Sequence, residues 1–444
     1  MSSASIEFRK YFTKKSLNEI YKNYVCYKGA IGIDRINRKV FKSNLESNIE
    51  VIWGKAHKGD YRFTNFKEKL LSRGADRKPR VISIPTKRDQ LILRALYTVL
   101  NNTYRNKLTG LYLYKIINEV KEKFLSKRYD YFLRLDIKDF YPSIIHNVLL
   151  KIVKRKVRKK EIVNLIYDAI KKPIVSPLLP NKIETREKGI PQGLAISNIL
   201  ANIYLQLIDK KYYANIHYSY FRYVDDILVL SNSSDTKSIK DSLMEDLKNI
   251  GLEIHDESKE NSKSESGSID EGFSYLGYKF KGDSIFVRES SIDSLRNSLI
   301  KIFTQYKYRE HKKINQLRWV INLRITGCIF NSNKYGWIFF FSQINDLNLL
   351  FKLDSFIKEL CKRYNVNINL LRPKKFVKTY FEITKNLRIT SYIPNFDKIS
   401  TIEKSKILKI NFDIKVNEIQ VIHEFNKLIY RNIKELEKDL AMMS

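Results

Sequence analysis

Cysteine is scarce in this chain, and its scarcity closes off several classes of protein. The three that occur, Cys26, Cys328 and Cys361, are too widely spaced for a CxxC half-site and too few for a disulfide framework. A zinc ribbon and a disulfide-stapled secreted domain are thereby set aside, and a reducing, cytoplasmic setting is expected. Met1 through Lys15 contains no apolar core of the kind a secretory leader needs, so none is expected. No apolar run approaches the ~20 residues of a membrane span; the longest, Trp337 to Phe341, reads as a buried segment. There is no repeat with a period of about 20–50 residues, which excludes a solenoid or propeller.

Acidic residues are also in short supply. The 444 residues hold 48 Asp and Glu against 82 Lys and Arg, a formal charge of +34. A surplus of that size points to a polyanionic partner, most simply nucleic acid. Among the scattered histidines, His255-Asp256-Glu257 has metal-binding side chains but reads as a surface loop.

Against this background two carboxylate segments stand out. In Phe221-Arg222-Tyr223-Val224-Asp225-Asp226-Ile227-Leu228-Val229-Leu230, adjacent aspartates separate two short β-prone runs, the pattern of strand, tight turn and strand. Adjacent carboxylates repel unless a cation joins them, and Asp oxygens suit Mg²⁺. In Phe132 through Ile144, the alternation of Leu133, Leu135 and Ile137 turns Asp136 to the other face of a strand that runs into a Pro142 turn. If the two strands are neighbours, three carboxylates converge. Three carboxylates can hold two Mg²⁺ about 3.5–4 Å apart, the clamp for in-line phosphoryl displacement.

These segments resemble motifs A and C of reverse transcriptases, and other stretches follow in that family's order over roughly residues 30–280. Gly32-Ile33-Asp34 with Phe41, then Lys78-Pro79-Arg80 through Pro85, resemble the two fingers motifs. Gly189-Ile190-Pro191-Gln192-Gly193 is similar to motif B, Gly251 through Lys259 to motif D, and Phe273-Ser274-Tyr275-Leu276-Gly277 to motif E. The resemblance implies an α+β right-hand polymerase with fingers, a palm built on an antiparallel sheet, a thumb, and a helical C-terminal extension. It implies Asp136, Asp225, Asp226 and Ile137 at the metals (two Mg²⁺, with Mn²⁺ as a substitute) and Lys259 as a catalytic acid. Lys78, Arg80, Tyr141, Gln192 and Gly193 would contact the nucleotide, Tyr141 as the ring that rejects a 2′-hydroxyl, and Leu276 and Gly277 would form the primer grip.

The divisions that follow are 1–128 (N-terminal segment and fingers), 129–147 (palm, motif A), 148–187 (helical insertion), 188–288 (palm, motifs B to E), 289–370 (thumb-like) and 371–444 (helical extension). Within them, helix is expected over 238–251, a polar loop over 258–271, and a hairpin over 272–288 turning at Lys281-Gly282-Asp283. In the last stretch Ile422, Phe425, Ile429, Ile433, Leu436 and Leu440 would form one helix face turned to the core. The run Lys154-Arg155-Lys156-Val157-Arg158-Lys159-Lys160 reads equally as a phosphate contact or a solvated face.

The expected partners are an RNA template, a DNA product and dNTPs, with no membrane; a homo-oligomer or a second defence protein is left open. The absence of recognisable RNase H, integrase or HNH-like segments turns the reading towards the prokaryotic antiphage group, with a noncoding RNA as template. Untemplated, protein-primed synthesis, a retron or group II intron enzyme, and a non-catalytic RNA-binding scaffold are the alternatives.

Overall fold

The computed structural model describes the chain except for residues 1–2, 73–77, 106–107, 109–112, 177–185, 258–261, 439 and 441–444. The described residues fall into two compact units, 1–116 with 131–266, and 117–130 with 267–444.

In the first unit the central sheet has the spatial order Ser219–Tyr223, Asp226–Ser231, Tyr131–Asp136, Glu265–Ser268. Its three longer strands are antiparallel, with Leu133 opposite Val229, Leu135 opposite Ile227 and Asp136 opposite Asp226. Period-two alternation sends Leu133, Leu135, Ile227 and Val229 into the main hydrophobic core. That core is completed by helices Lys87–Tyr104, Ser197–Tyr213 and Ser233–Asn249. The opposite face therefore carries Arg134, Asp136 and Asp226. The Ser219–Ser231 hairpin has the strand, tight turn and strand read from its sequence.

A smaller sheet orders Arg80–Ile84, Phe66–Leu71 and Ile174–Val175. It is joined to the turn at 189–193 by the Ser83 amide, which donates to the Gln192 carbonyl at 2.7 Å.

Two segments depart from the sequence reading. The polar stretch 258–271 is not all loop: Glu265–Ser268 forms the edge strand and Ile269–Glu271 a 3₁₀ turn. Glu-Ser-Gly-Ser has no hydrophobic alternation, and an edge strand beside an established one needs only main-chain pairing. Residues 273–287 form three strands, not two: Phe273–Tyr275, Tyr278–Lys281 and Ser284–Val287. The additional turn lies at Leu276-Gly277, both with positive φ (48° and 83°). The helix expected over 238–251 spans Ser233–Asn249, and Gly251 follows it at φ 77°.

The second unit contains that three-stranded sheet, with Phe124 packed edge-on to Phe273 and Phe280, and a set of helices. The longest is Glu418–Lys438, which buries Val421, Phe425, Leu428, Ile429, Ile433 and Leu436 against Leu408, Phe396 and Phe330. The expected face is thus intramolecular core, except that Ile422 is 51% exposed with Val421 in its place, and Leu440 lies past the end of the helix. Trp337 is fully buried, and Trp319 stacks with Phe396.

Candidate active site

Two adjacent residues, Val224 and Asp225, make the turn between the hairpin strands. Val224 has φ 57°, a left-handed conformation that a β-branched residue adopts only under constraint. The constraint is Arg222. Its guanidinium is buried and grips both carboxylate oxygens of Asp209, at 2.7 and 2.5 Å. It also donates to Asn202 Oδ1 at 3.0 Å and to the Val224 carbonyl at 2.8 Å. Asp209 and Asn202 lie on helix Ser197–Tyr213, so the turn is fastened to that helix by a buried ion pair. Nothing in the local sequence pattern names Asp209 as the partner of Arg222.

The fastened turn presents Asp225 beside the end of the Asp136 strand, where the Ile137 amide donates to the Asp225 carbonyl at 3.1 Å. Burial comes first in lifting all three carboxyls above their ordinary 3.8. Mutual repulsion adds to it: Asp226 acts on Asp136, Asp136 on Asp225, and Asp225 on Asp226.

Protein cations oppose that repulsion. Arg134 makes a two-pronged contact to Asp226, with Nε and Nη2 each 2.9 Å from a carboxylate oxygen, and also reaches Glu265 at 3.3 Å. Lys263 Nζ and His255 Nε2 lie 3.3 and 3.4 Å from Asp136 Oδ2. Sequence reading passed over Arg134 and Lys263. His255, read as surface loop, is brought in by pairing of 253–255 with the end of the Asp136 strand: its amide donates to the Asp136 carbonyl at 3.0 Å. Lys259 lies outside the described residues.

Hard oxygen donors on three neighbouring carboxylates suit a divalent cation in kind. In the arrangement seen, both Asp226 oxygens are turned to Arg134. Among the described residues no three His, Cys, Asp or Glu side chains are gathered as a ready metal cage.

Of the remaining nucleotide-contact candidates, Tyr141 and Arg80 lie within electrostatic reach of Asp225. The Gly189–Gly193 turn is stitched to the turn after Asp136: the Gly189 amide donates to Ile144 at 2.7 Å and the Ile190 amide to Tyr141 at 2.8 Å. His146 Nε2 donates to the Gly189 carbonyl at 2.7 Å. Gly193 has φ 100°, and a Cβ there would stand 2.8 Å from Ile82 Cγ2 and 3.0 Å from the Ser83 carbonyl. Only glycine lets this turn lie against the Arg80–Ile84 strand.

Tyr141 is half-buried; its hydroxyl is pushed up to about 12, by burial first and then by the Asp225 charge. Arg80 is close enough to favour the ionised forms of both Asp225 and Tyr141. Lys78 is exposed just ahead of that strand. Leu276 and Gly277 belong to the second unit, where the Gly277 carbonyl accepts from the Arg288 amide at 2.8 Å.

The basic run 154–160 is partly spent inside the first unit. Lys156 sits over the Tyr104 ring, and Lys159 sits over Phe8 and pairs with Glu161 at 2.5 Å.

Residues 67–280 match the family model described as reverse transcriptase (RNA-dependent DNA polymerase). The fold is of the α+β polymerase kind with a helical C-terminal region. The Saccharomyces cerevisiae protein named for intron 2 of COX1/OXI3 is 24% identical over 253 residues, 44% of this chain and 28% of that protein. The chain thus spans little more than a quarter of that relative's length.

Among solved structures, apo telomerase from Candida tropicalis, truncated from its C-terminal domain, aligns with 18% identity and a TM-score of 0.39, covering 58% of this chain and 62% of that one. Telomerase from Candida albicans, in complex with a TWJ fragment of telomeric RNA, aligns with 12% identity and a TM-score of 0.43, covering 92% and 68%.

Proposed function

We propose that the chain is a reverse transcriptase that polymerises dNTPs on an RNA template. The observation that carries this is the register pairing of Asp136 with Asp226, with Asp225 on the fastened turn beside them. A scaffold that only bound RNA would gain nothing from three buried carboxylates that raise one another's proton affinity.

Two divalent cations held by Asp136, Asp225 and Asp226, with Ile137 as a further candidate, would supply the Lewis acidity that activates a primer hydroxyl and stabilises departing pyrophosphate. Arg80 and Lys78 would bind the triphosphate as fixed cations. The Gln192-Gly193 backbone, pinned to Ser83, would set the floor under the base, and the Tyr141 ring would occupy the space a 2′-hydroxyl needs. Arg134 and Lys263 would hold the carboxylates in place before substrate arrives. A dedicated noncoding RNA as template and a role in antiphage defence are part of the proposal, favoured by the helical C-terminal extension.

The test is to purify the chain with its bound nucleic acid, sequence that material, and add labelled dNTPs with Mg²⁺. A single co-purifying RNA copied into complementary DNA is the expected result. Synthesis that survives RNase, with product attached to protein, would replace this reading by untemplated, protein-primed synthesis. No synthesis on any primed template would remove it.

A further inference from the structure

In the second unit, helices Glu289–Lys307, Ile314–Thr326 and Glu418–Lys438 enclose a cleft of about 660 Å³. It lies within the range of about 300–1,000 Å³ typical of built ligand sites. Its lining carries Lys301, Arg309, Arg324, Arg431 and Lys438 against one carboxylate, Glu435.

That carboxylate is already answered. Lys438 pairs with it at 2.6 Å, and buried Arg324 donates to the Glu435 main-chain carbonyl at 3.1 Å. Arg309 is held by Gln316 at 2.7 Å. Lys301 and Arg431 are exposed and make no hydrogen bond or ion pair to another described residue, although Lys301 lies close enough to help hold the Glu435 carboxyl below its ordinary value. The floor is apolar, with Leu317, Leu323 and Leu436 buried, and Tyr306 and Phe412 line the cleft as half-buried rings.

We infer that this cleft binds an unpaired stretch of RNA, one or two nucleotides deep, separately from the carboxylate site. The reasoning is one of size, charge spacing and surface type. The cleft is too small for a duplex, and its cations are not focused on one point. Lys301 and Arg431, the two cations that no described residue ion-pairs, stand on different helices lining the cleft, which suits two phosphates of a strand better than one phosphate ion. Rings and amides beside such cations are the groups that stack on splayed bases and read their edges, and amides or hydroxyls can also meet a 2′-hydroxyl. The inference rests on the reading that this chain handles RNA, and its test is arranged so that the two can fail separately.

The test uses the full-length chain and a short unstructured fluorescent RNA, followed by anisotropy over a salt series. Lys301→Gln with Arg431→Gln is compared with Lys352→Gln and Lys358→Gln, an equal loss of charge on exposed positions of helix Asn348–Arg363. The cleft variant should lose on the order of tenfold in affinity, with a salt slope shallower by roughly 1.4, and the control should change little. A 4-thiouridine in the RNA should crosslink within the cleft-lining helices.

Both variants should melt as the parent does and extend a primed homopolymer template at the parental rate. Equal losses in the two variants would overturn the site, since the charge would then act without location. So would equal binding of DNA of the same sequence, or full competition by nucleoside monophosphate alone. If the parent fails to extend any primed template yet binds RNA through the cleft, the polymerase reading falls and the cleft stands.

Discussion

Arg222 and Asp209 offer the sharpest test of how the site is built, because one ion pair has two separable jobs. The pair is buried on both sides, with side-chain exposures of 0% and 2%. Replacing Arg222 with Met leaves Asp209 as an uncompensated charge in the core, with the Tyr220 hydroxyl (3.0 Å) as its remaining side-chain donor among the described residues. Breaking a buried pair from one side costs about 3–5 kcal/mol. For a unit of this size, with a melting shift of about 2–4 °C per kcal/mol, the midpoint should fall by roughly 6–20 °C. The double variant Arg222→Met with Asp209→Leu removes both charges, and well-packed apolar replacement of a buried pair is often neutral or stabilising. Most of the lost stability should therefore return.

Activity should not return with it. The Arg222 guanidinium is also the donor to the Val224 carbonyl, and neither replacement can supply that bond. Without it the left-handed Val224 is free to relax, and Asp225 moves with it. The assays are differential scanning calorimetry and primer extension on the same preparations. A single variant that melts like the parent would refute the energetic argument. A double variant with full extension rate would refute the claim that the pair positions the turn.

Asp225→Asn combined with Asp226→Asn should lower extension by at least about a thousandfold, the scale of losing a principal electrostatic stabiliser. Relief of mutual repulsion and loss of the Arg134–Asp226 pair act in opposite directions on the melting temperature, so the rate is read on protein shown to be folded; wild-type synthesis rates would sink the metal assignment. Tyr141→Ala should raise the NTP to dNTP incorporation ratio on the order of tenfold or more, as lost steric rejection does; single-turnover competition would reveal unchanged selectivity if the ring has no such role. Burial, its main cause, holds the His146 imidazole below the ordinary 6.5, so the folded chain resists protonation that the unfolded chain accepts. Stability supported by neutral His146 is present above 6.5 and is lost as pH falls through the lower folded value. Melting curves from pH 7.5 to 5 should show this slope in the parent and a smaller one in His146→Gln.

What could be read from the sequence and what could not divide along a physical line. The Asp136 strand and the Asp225-Asp226 hairpin were legible because their apolar residues alternate, and alternation fixes which face a carboxylate takes. Glycine at 193 was legible as part of a turn, although its reason, the Ile82 and Ser83 contacts, is tertiary. Arg134 was not legible. A charge between Leu133 and Leu135 looks like the solvent side of a half-buried strand, and its partner is 92 residues away. Lys263 and the Glu265–Ser268 strand were hidden in a Ser-rich stretch with no hydrophobic period. Asp209, on the buried side of helix Ser197–Tyr213, reads from sequence as an ordinary helix-surface acid. In each case the missing information is a pairing between distant segments, which local pattern does not encode.

Arg134 is the charge that offsets the crowding of the carboxylates at Asp226. The guanidinium and Asp226 are 17% and 11% exposed, so the pair is largely desolvated. In Arg134→Met the Asp226 carboxyl, already raised by burial first and by Asp225 next, loses the charge that opposes both. Its proton affinity rises further. A carboxyl with a raised folded pKa takes up a proton more readily in the native state than in the unfolded one. Stability then declines as pH climbs from the ordinary 3.8 through the raised value. The variant should therefore lose more stability at pH 7.5 than at pH 5. A divalent cation can replace the missing charge only when the carboxylates are deprotonated. Added Mg²⁺ should thus raise the melting temperature of Arg134→Met more than that of the parent, and more at pH 7.5 than at pH 5. Equal Mg²⁺ responses in the two proteins would mean that Arg134 and the metal do not compete for the same carboxylate.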